Sequence, residues 1–99
     1  DLRPGSKTFG KHVSVELSED NHRQFFIPKG FAHGFSVLSD EVIFQYKCDS
    51  LYCPESEGAV AWDDPDLEID WMVPKDKIIL SEKDKRHPKL RDCRPEDLP

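Results

Sequence analysis

The sequence predicts a small all-β domain, a sandwich or a barrel, from three observations. Its apolar residues fall in short runs, which suit strands better than helices. Turn-forming residues, chiefly Gly, Pro, Asn, Asp and Ser, separate these runs at close intervals. The sequence has no internal repeat and no long amphipathic helix. Many short strands at close spacing are typical of β-sandwiches and β-barrels.

The first predicted strand covers residues 12–17, because Val13, Val15 and Leu17 alternate with polar residues and so share one face. A β-rich run at residues 24–27 follows, and the turn at residues 28–30 ends it, because Gly30 tolerates a positive φ. The other predicted strands are residues 24–27, 31–38, 41–47 and 59–62, with a last apolar run at residues 78–80.

Three polar segments, residues 18–21, 39–40 and 63–66, are predicted turns between these strands. Trp62 and Trp71, which flank the last of them, are interpreted as structural core anchors.

The C-terminal region is predicted to leave the sheet. Ser81 is a candidate N-cap of a short helical turn, with Asp84 three positions later. Residues 1–85 are assigned to the β domain, and residues 86–99 to a charged, proline-containing tail that is expected to be extended.

A predicted hairpin places two chemically useful side chains together. If Ser39 and Asp40 form a two-residue turn, paired residue numbers sum to 79, so Phe35 faces Phe44 and His33 faces Tyr46. Alternation puts all four side chains on one aromatic face, where the phenol is expected to be poorly solvated. A packed core pair and a ligand pocket with two polar tips are both consistent with this pattern.

Composition excludes several functional classes. The net charge of −6 argues against a nucleic-acid groove, although a few local cations suffice to bind one diphosphate. No apolar run approaches the roughly 20 residues of a membrane span. Three cysteines without a C-x-x-C pair indicate thiols in a reducing cytoplasm. Because the first residue is Asp1 and not Met, the natural N-terminus is expected to lie further upstream.

Several blocks resemble the dTDP-4-dehydrorhamnose 3,5-epimerase family in order and spacing. The blocks are DLR at 1–3, TFG at 8–10, FFIPKGFAHGF at 25–35, FQYKC at 44–48, WDDPD at 62–66, IDW at 69–71 and LSEKD at 80–84. The resemblance implies a cupin-type double-stranded β-helix jelly roll that forms a homodimer. It also implies a cofactor-free isomerase that inverts C3 and C5 of a dTDP-linked 4-keto-6-deoxy sugar. The scattered His12, His22, His33 and His87 agree with the absence of a cupin metal site.

The resemblance implies roles for six residues, each at a position that matches one of the family's motifs. Tyr46 matches the proton donor, and Asp84 matches the carboxylate that orients the catalytic His. The matches to substrate-binding residues are His33, which contacts the sugar, Tyr52, which stacks on thymine, Glu57 and Lys83. Each has a structural reading as well. Tyr46 and His33 can form a packed core pair, Tyr52 can be a half-packed loop aromatic, and Asp84 can be a helix-terminal carboxylate. Glu57 and Lys83 can be solvated charges.

The resemblance begins nearly halfway through the family's chain. A Gly-Leu-His-type motif with the base, and an Arg and a Lys near it, are expected upstream of Asp1, together with the first strands of the barrel. These 99 residues alone are therefore expected to be inactive. Two other functions stay open, namely a single-carbon epimerase or ketoisomerase relative, and a non-catalytic sugar-nucleotide-binding fragment.

Overall fold

The computed structural model describes residues 1–51, 53, 58–94, 96 and 98. Three short 3-10 helices, Lys75–Lys77, Asp84–Arg86 and Leu90–Asp92, are the regular elements in these ranges. No β-ladder forms among the described residues, so the jelly roll stays a prediction. No helix in the described part of the chain is long and apolar enough to cross a membrane.

The 3-10 helix Asp84–Arg86 confirms the helical turn predicted after Ser81. The Asp84 N–H donates to the Ser81 carbonyl oxygen at 3.1 Å and to Ser81 Oγ at 3.2 Å. Lys83 occupies the N-cap position, but its side chain does not cap the helix. The helix ends at Arg86, and its C-cap His87 has an extended ψ of 145°, because the following Pro88 disfavours helical geometry in the residue before it.

Two of the predicted turns form as local chemistry requires. Ser18 and Asn21 bond reciprocally, with the Asn21 N–H donating to Ser18 Oγ at 3.1 Å and the Ser18 N–H donating to Asn21 Oδ1 at 3.2 Å. In the second turn, the Phe31 N–H donates to the Pro28 carbonyl at 3.3 Å, and Gly30 takes a φ of 90°. Only Gly adopts that conformation without strain.

The N-terminal ten residues fold around the carboxylate of Asp1, whose side chain is 1% exposed. The carboxylate accepts bonds from the Arg3 backbone N–H and guanidinium at 2.9–3.0 Å. It also accepts Ser6 Oγ at 2.7 Å and Thr8 Oγ1 at 2.5 Å. A buried carboxylate is tolerated when its oxygens are satisfied in this way. The DLR and TFG blocks are therefore parts of one hydrogen-bonded loop.

This loop is attached to the turn that precedes the predicted hairpin. The Leu2 N–H donates to the Gly30 carbonyl at 3.0 Å, and the Arg3 guanidinium lies 4.8 Å from the centre of the Phe31 ring. A Cβ on Gly30 would lie 2.5 Å from Arg3 Cγ, so this position requires glycine for both space and φ.

The small core lies around the turn at residues 61–67. Ala61 and Leu67 are the buried hydrophobic residues of the described chain. Asp64, which lies between them in the sequence, is also buried, with 2% exposure. Asp64 Oδ1 accepts the Asp66 N–H at 2.8 Å, and Oδ2 accepts the Leu90 N–H at 2.6 Å. The acidic run is a turn, as predicted, and one of its carboxylates is an internal acceptor.

The expectation of an extended C-terminal tail is wrong for residues 88–92. Leu90–Asp92 forms a 3-10 helix, and the Ala61 N–H donates to the Pro88 carbonyl at 2.7 Å. Arg91 pairs with Asp66 through two bonds of 2.8 and 3.0 Å. Residues 88–92 fold back because the acidic turn supplies well-placed acceptors for the Leu90 N–H and for the Arg91 guanidinium.

Trp71 joins this core to the predicted strand at residues 31–38. Its indole N–H donates to the Trp62 carbonyl at 2.9 Å, and its own carbonyl accepts Ser36 Oγ at 2.8 Å. A Cβ on Gly34 would lie 3.2 Å from Trp71 Cη2, so glycine permits the close approach. Trp71 thus has a structural role in connecting the chain, whereas the prediction that Trp62 and Trp71 anchor the core stays a prediction, since both are only half-buried.

Asp64 should titrate below the ordinary range of an aspartate. Burial opposes its ionisation, but the hydrogen bonds from Leu90 and Asp66 and the charges of Arg91 and Lys89 outweigh burial and lower the pKa below 3.8. The stabilisation by the charged form is therefore complete above pH 3.8 and is lost as the pH falls through the lower folded-state pKa. The Leu90 amide proton resonance, followed by NMR, should stay constant above that pH and shift upfield below it.

Asp64→Asn is the matched control for this titration. Asn has one acceptor oxygen where Asp has two, so the Leu90 or the Asp66 N–H loses its partner, at a cost of about 1–3 kcal/mol. The variant should show no acid titration of the Leu90 amide. A wild-type midpoint above 3.8 would contradict the assignment of Asp64 as a hydrogen-bonded carboxylate.

Candidate functional site

The aromatic face of the predicted hairpin is present. The rings of Phe35 and Phe44 stack with their centres 4.1 Å apart and an interplanar angle of 14°. Tyr46 tilts against Phe44 at 5.4 Å and 43°. These contacts confirm that Phe35 meets Phe44 and that Phe44 and Tyr46 share a face. The chain bends at Ser39 and Asp40, as the two-residue turn predicts.

The phenol of Tyr46 is more open to solvent than the sequence suggests. Tyr46 is 67% exposed, and Phe35 and Phe44 are 57% and 49% exposed. The expectation of a poorly solvated phenol is therefore wrong for the chain by itself, because one neighbouring ring covers only one side of Tyr46. His33 is also exposed, and its pairing with Tyr46 stays a prediction.

Asp84 lies at the start of its 3-10 helix with its carboxylate 57% exposed. Its Oδ1 is 3.5 Å from Nε2 of His87, whose side chain is only 20% exposed. The i, i+3 spacing places the two on one side of the helix. Lys83, the predicted nucleotide contact, is the N-cap residue of the same helix.

His87 is a neighbour of the candidate site that sequence reasoning did not assign. In the sequence, His87 is one of four scattered histidines. Its i, i+3 spacing from Asp84 was a signal that could have been used, since side chains three apart eclipse in a 3-10 helix.

Two predicted substrate-binding residues, Tyr52 and Glu57, lie outside the described residues. Among the four that are described, Tyr46 and His33 lie in the predicted hairpin, and Lys83 and Asp84 lie in the C-terminal helical turn. The candidate site is therefore divided between two parts of the chain that Trp71 and the core connect.

A surface groove of about 450 Å³ lies elsewhere, between Gly10, Leu90 and Arg91. Of the predicted site residues that the structure describes, none lines it. Its walls come from the N-terminal loop, the acidic turn and the C-terminal segment. Within the described residues, no three His, Cys, Asp or Glu side chains are grouped to hold a metal ion.

Comparison with known proteins identifies strong similarity along most of the chain. The family described as dTDP-4-dehydrorhamnose 3,5-epimerase matches residues 1–92. A protein of that name from Methanothermobacter thermautotrophicus is 53% identical over 93 residues, which are 93% of this chain and 50% of that protein. No solved structure matches the chain.

Two bacterial proteins of the same name show comparable similarity. The Pseudomonas aeruginosa protein is 51% identical over 86 residues, or 87% of this chain and 47% of its own length. The Escherichia coli protein is 54% identical over 86 residues, or 87% of this chain and 46% of its own. The chain thus spans about half the length of the curated relatives it matches.

The hairpin register gives a direct test of the candidate site. Phe35 and Phe44 fit a register in which paired residue numbers sum to 79. If that register continues away from the turn, His33 and Tyr46 are cross-strand neighbours with Cβ atoms about 4.5–5.5 Å apart. Nuclear Overhauser effects should connect their side-chain protons. Contacts of His33 with Gln45 or Lys47 would show a one-residue slip, which sends the partner to the opposite face.

Proposed function

The chain belongs to the dTDP-4-dehydrorhamnose 3,5-epimerase family, and on that premise we propose that it supplies part of an epimerase active site. The reaction converts dTDP-4-dehydro-6-deoxy-D-glucose to dTDP-4-dehydro-L-rhamnose by epimerisation at C3 and C5, in dTDP-rhamnose biosynthesis. The observation that carries the proposal is the match over residues 1–92, together with relatives of that name at 51–54% identity.

Epimerisation beside a ketone requires a base on one face of the carbon and an acid on the other. Tyr46 is the proposed acid, because its hydroxyl stands on an aromatic face and is open to a ligand. Asp84 is the proposed orienting carboxylate for a histidine base, as the aspartate is in a Ser-His-Asp triad. Its large exposed fraction leaves room for that partner.

The remaining proposed roles concern binding. His33 is proposed to contact the sugar beside Tyr46, and Lys83 the dTDP diphosphate or nucleoside, since an ammonium suits an anionic ligand. Tyr52 and Glu57 are proposed to bind thymine and the sugar, respectively. Base stacking on an aromatic ring contributes roughly 1–3 kcal/mol.

A complete cupin-type jelly roll and a homodimer are proposed for the whole protein. One observation supports this proposal, namely that apolar residues of the predicted strands are exposed. Val13, Val42 and Ile43 are 76%, 57% and 95% exposed, and such faces favour burial against further polypeptide. A cytoplasmic location is proposed with them, where thiols remain reduced.

The half-length match keeps a second function in view, a sugar-nucleotide-binding fragment without turnover. A hybrid protein distinguishes the epimerase from the binding fragment without turnover. In it, this chain replaces the 93 residues of the Methanothermobacter relative that it matches. We expect the hybrid to incorporate deuterium from D₂O at both C3 and C5, and the 99-residue chain alone to incorporate none. Uptake at one carbon only would indicate a single-carbon epimerase.

Tyr46→Phe in the hybrid should lower the rate of epimerisation by about 10²–10⁴-fold, the usual contribution of a general acid. KM should change little, because the ring remains in contact with Phe44. Deuterium uptake at the first carbon should persist, since abstraction of its proton does not need the phenol. Turnover at the unaltered rate would show that Tyr46 is not the donor.

Asp84→Asn should lower kcat far more than it raises KM, because the carboxylate acts on the base and not on the substrate. Asp76→Asn is the matched control: Asp76 is an exposed aspartate in the 3-10 helix Lys75–Lys77. That control should keep full activity. Equal losses in kcat and in affinity on changing Asp84 would indicate a binding role instead.

A further inference from the structure

The acidic turn and the C-terminal segment are joined by four contacts, which we call the Asp64 clamp. Asp64 Oδ2 accepts the Leu90 N–H at 2.6 Å, and the Ala61 N–H donates to the Pro88 carbonyl at 2.7 Å. Asp66 completes the clamp with its two bonds to the Arg91 guanidinium, at 2.8 and 3.0 Å. Backbone and side-chain contacts together hold both the position and the direction of this segment.

Asp84 lies immediately before the clamped segment. Only three residues separate it from Pro88, and they belong to the 3-10 helix or to its C-cap. His87, next to the clamped Pro88, is largely buried and lies 3.5 Å from the Asp84 carboxylate. The Ala61–Pro88 bond anchors the segment just after this short helix, and the local bonds from the Asp84 N–H to Ser81 define the turn at its start.

On the other side, the clamp reaches the hairpin that carries Tyr46. Trp62 follows Ala61, and its carbonyl accepts the indole N–H of Trp71. Trp71 in turn accepts Ser36 Oγ, one residue from Phe35 on the aromatic face. A continuous series of contacts therefore links the segment that bears the proposed orienting carboxylate to the strand beside the proposed acid.

We infer that Asp64 and Asp66 are positioning residues for Asp84, and that the clamp fixes the distance between Asp84 and the hairpin. This inference rests on the proposed function. Neither aspartate touches the reacting atoms, and they act by holding residues 88–91. A catalytic group must be held to within about 0.5 Å of its productive place, so a loosened clamp should reduce turnover without abolishing ligand binding.

The small energy of the Arg91–Asp66 ion pair favours a positioning role over a purely stabilising one. Arg91 and Asp66 are 58% and 48% exposed, and such pairs contribute only about 0–1 kcal/mol to stability. A bidentate guanidinium pair nevertheless specifies one geometry. Asp66→Asn should therefore leave the fold in place and still release Arg91, whereas Asp64→Asn would disturb the core.

The test uses Asp66→Asn, with Asp49→Asn as the matched control that breaks another exposed ion pair, that of Lys29 and Asp49 at 3.8 Å. Hydrogen exchange in the 99-residue chain reports on the clamp directly. The Asp84 amide should exchange about two- to fivefold faster in Asp66→Asn, the range that the loss of an exposed ion pair allows, while the Leu2 amide, bonded to Gly30, keeps its rate. Asp49→Asn should change neither.

The same variants in the hybrid protein report on function. Asp66→Asn should lower kcat about tenfold with KM within about twofold, because misplacement by a fraction of an ångström affects chemistry more than binding. The exchanged pair, Asp66→Arg with Arg91→Asp, should restore most of kcat, because the ion pair that holds residues 88–91 forms again.

Three results would overturn the inference. They are unchanged exchange at Asp84 in Asp66→Asn, faster exchange at Asp84 and Leu2 alike, and unchanged kcat despite faster exchange at Asp84. If the unaltered hybrid fails to turn over, the proposed function fails, while the exchange measurement still decides whether the clamp holds Asp84.

Discussion

The buried carboxylate of Asp64 is the interaction on which the C-terminal half of the described structure depends. It accepts one N–H from its own turn and one from Leu90, 26 residues further along the chain. Each bond satisfies an oxygen that could not be left unpaired at 2% exposure. The ionised form is retained because these donors and the nearby cations outweigh the cost of burial. The Leu90–Asp92 helix and the place of Arg91 follow from this one acceptor.

A second buried carboxylate organises the N-terminal loop in the same way. Asp1 gathers Arg3, Ser6 and Thr8, and the loop then holds the Gly30 turn. Apolar burial is limited by comparison, since Ala61 and Leu67 are the buried hydrophobic residues of the described chain. Satisfied polar clusters, which specify direction as well as distance, therefore define the geometry of this chain.

The proposed active site draws on both regions. Tyr46 and His33 lie in the predicted hairpin that follows the Gly30 turn, and Asp84 belongs to the short helix before the clamped segment. Trp71 connects the two through Trp62 and Ser36. Groups that act on opposite faces of one carbon must keep a constant separation, which gives these connecting contacts a function beyond stability.

Local chemistry made several features predictable from the sequence. The Ser18–Asn21 and Pro28–Gly30 turns and the Ser81–Asp84 turn each depend on side chains within a few residues of one another. The stacking of Phe35 on Phe44 follows from the two-residue period of a strand and the position of the turn. Family membership likewise came from ordered motifs along the chain.

The sequence by itself therefore determined the turns, the aromatic face and the family, because each is encoded in neighbouring residues or in a simple period. Tertiary structure alone decided which distant groups meet: Leu90 with Asp64, Arg91 with Asp66 and Ser36 with Trp71, at separations of 25–35 residues. It also showed that residues 88–92 fold back and that His87 faces Asp84. A local sequence pattern does not predict which distant N–H donates to a buried acceptor, because the fold of the whole chain decides which donors come near it.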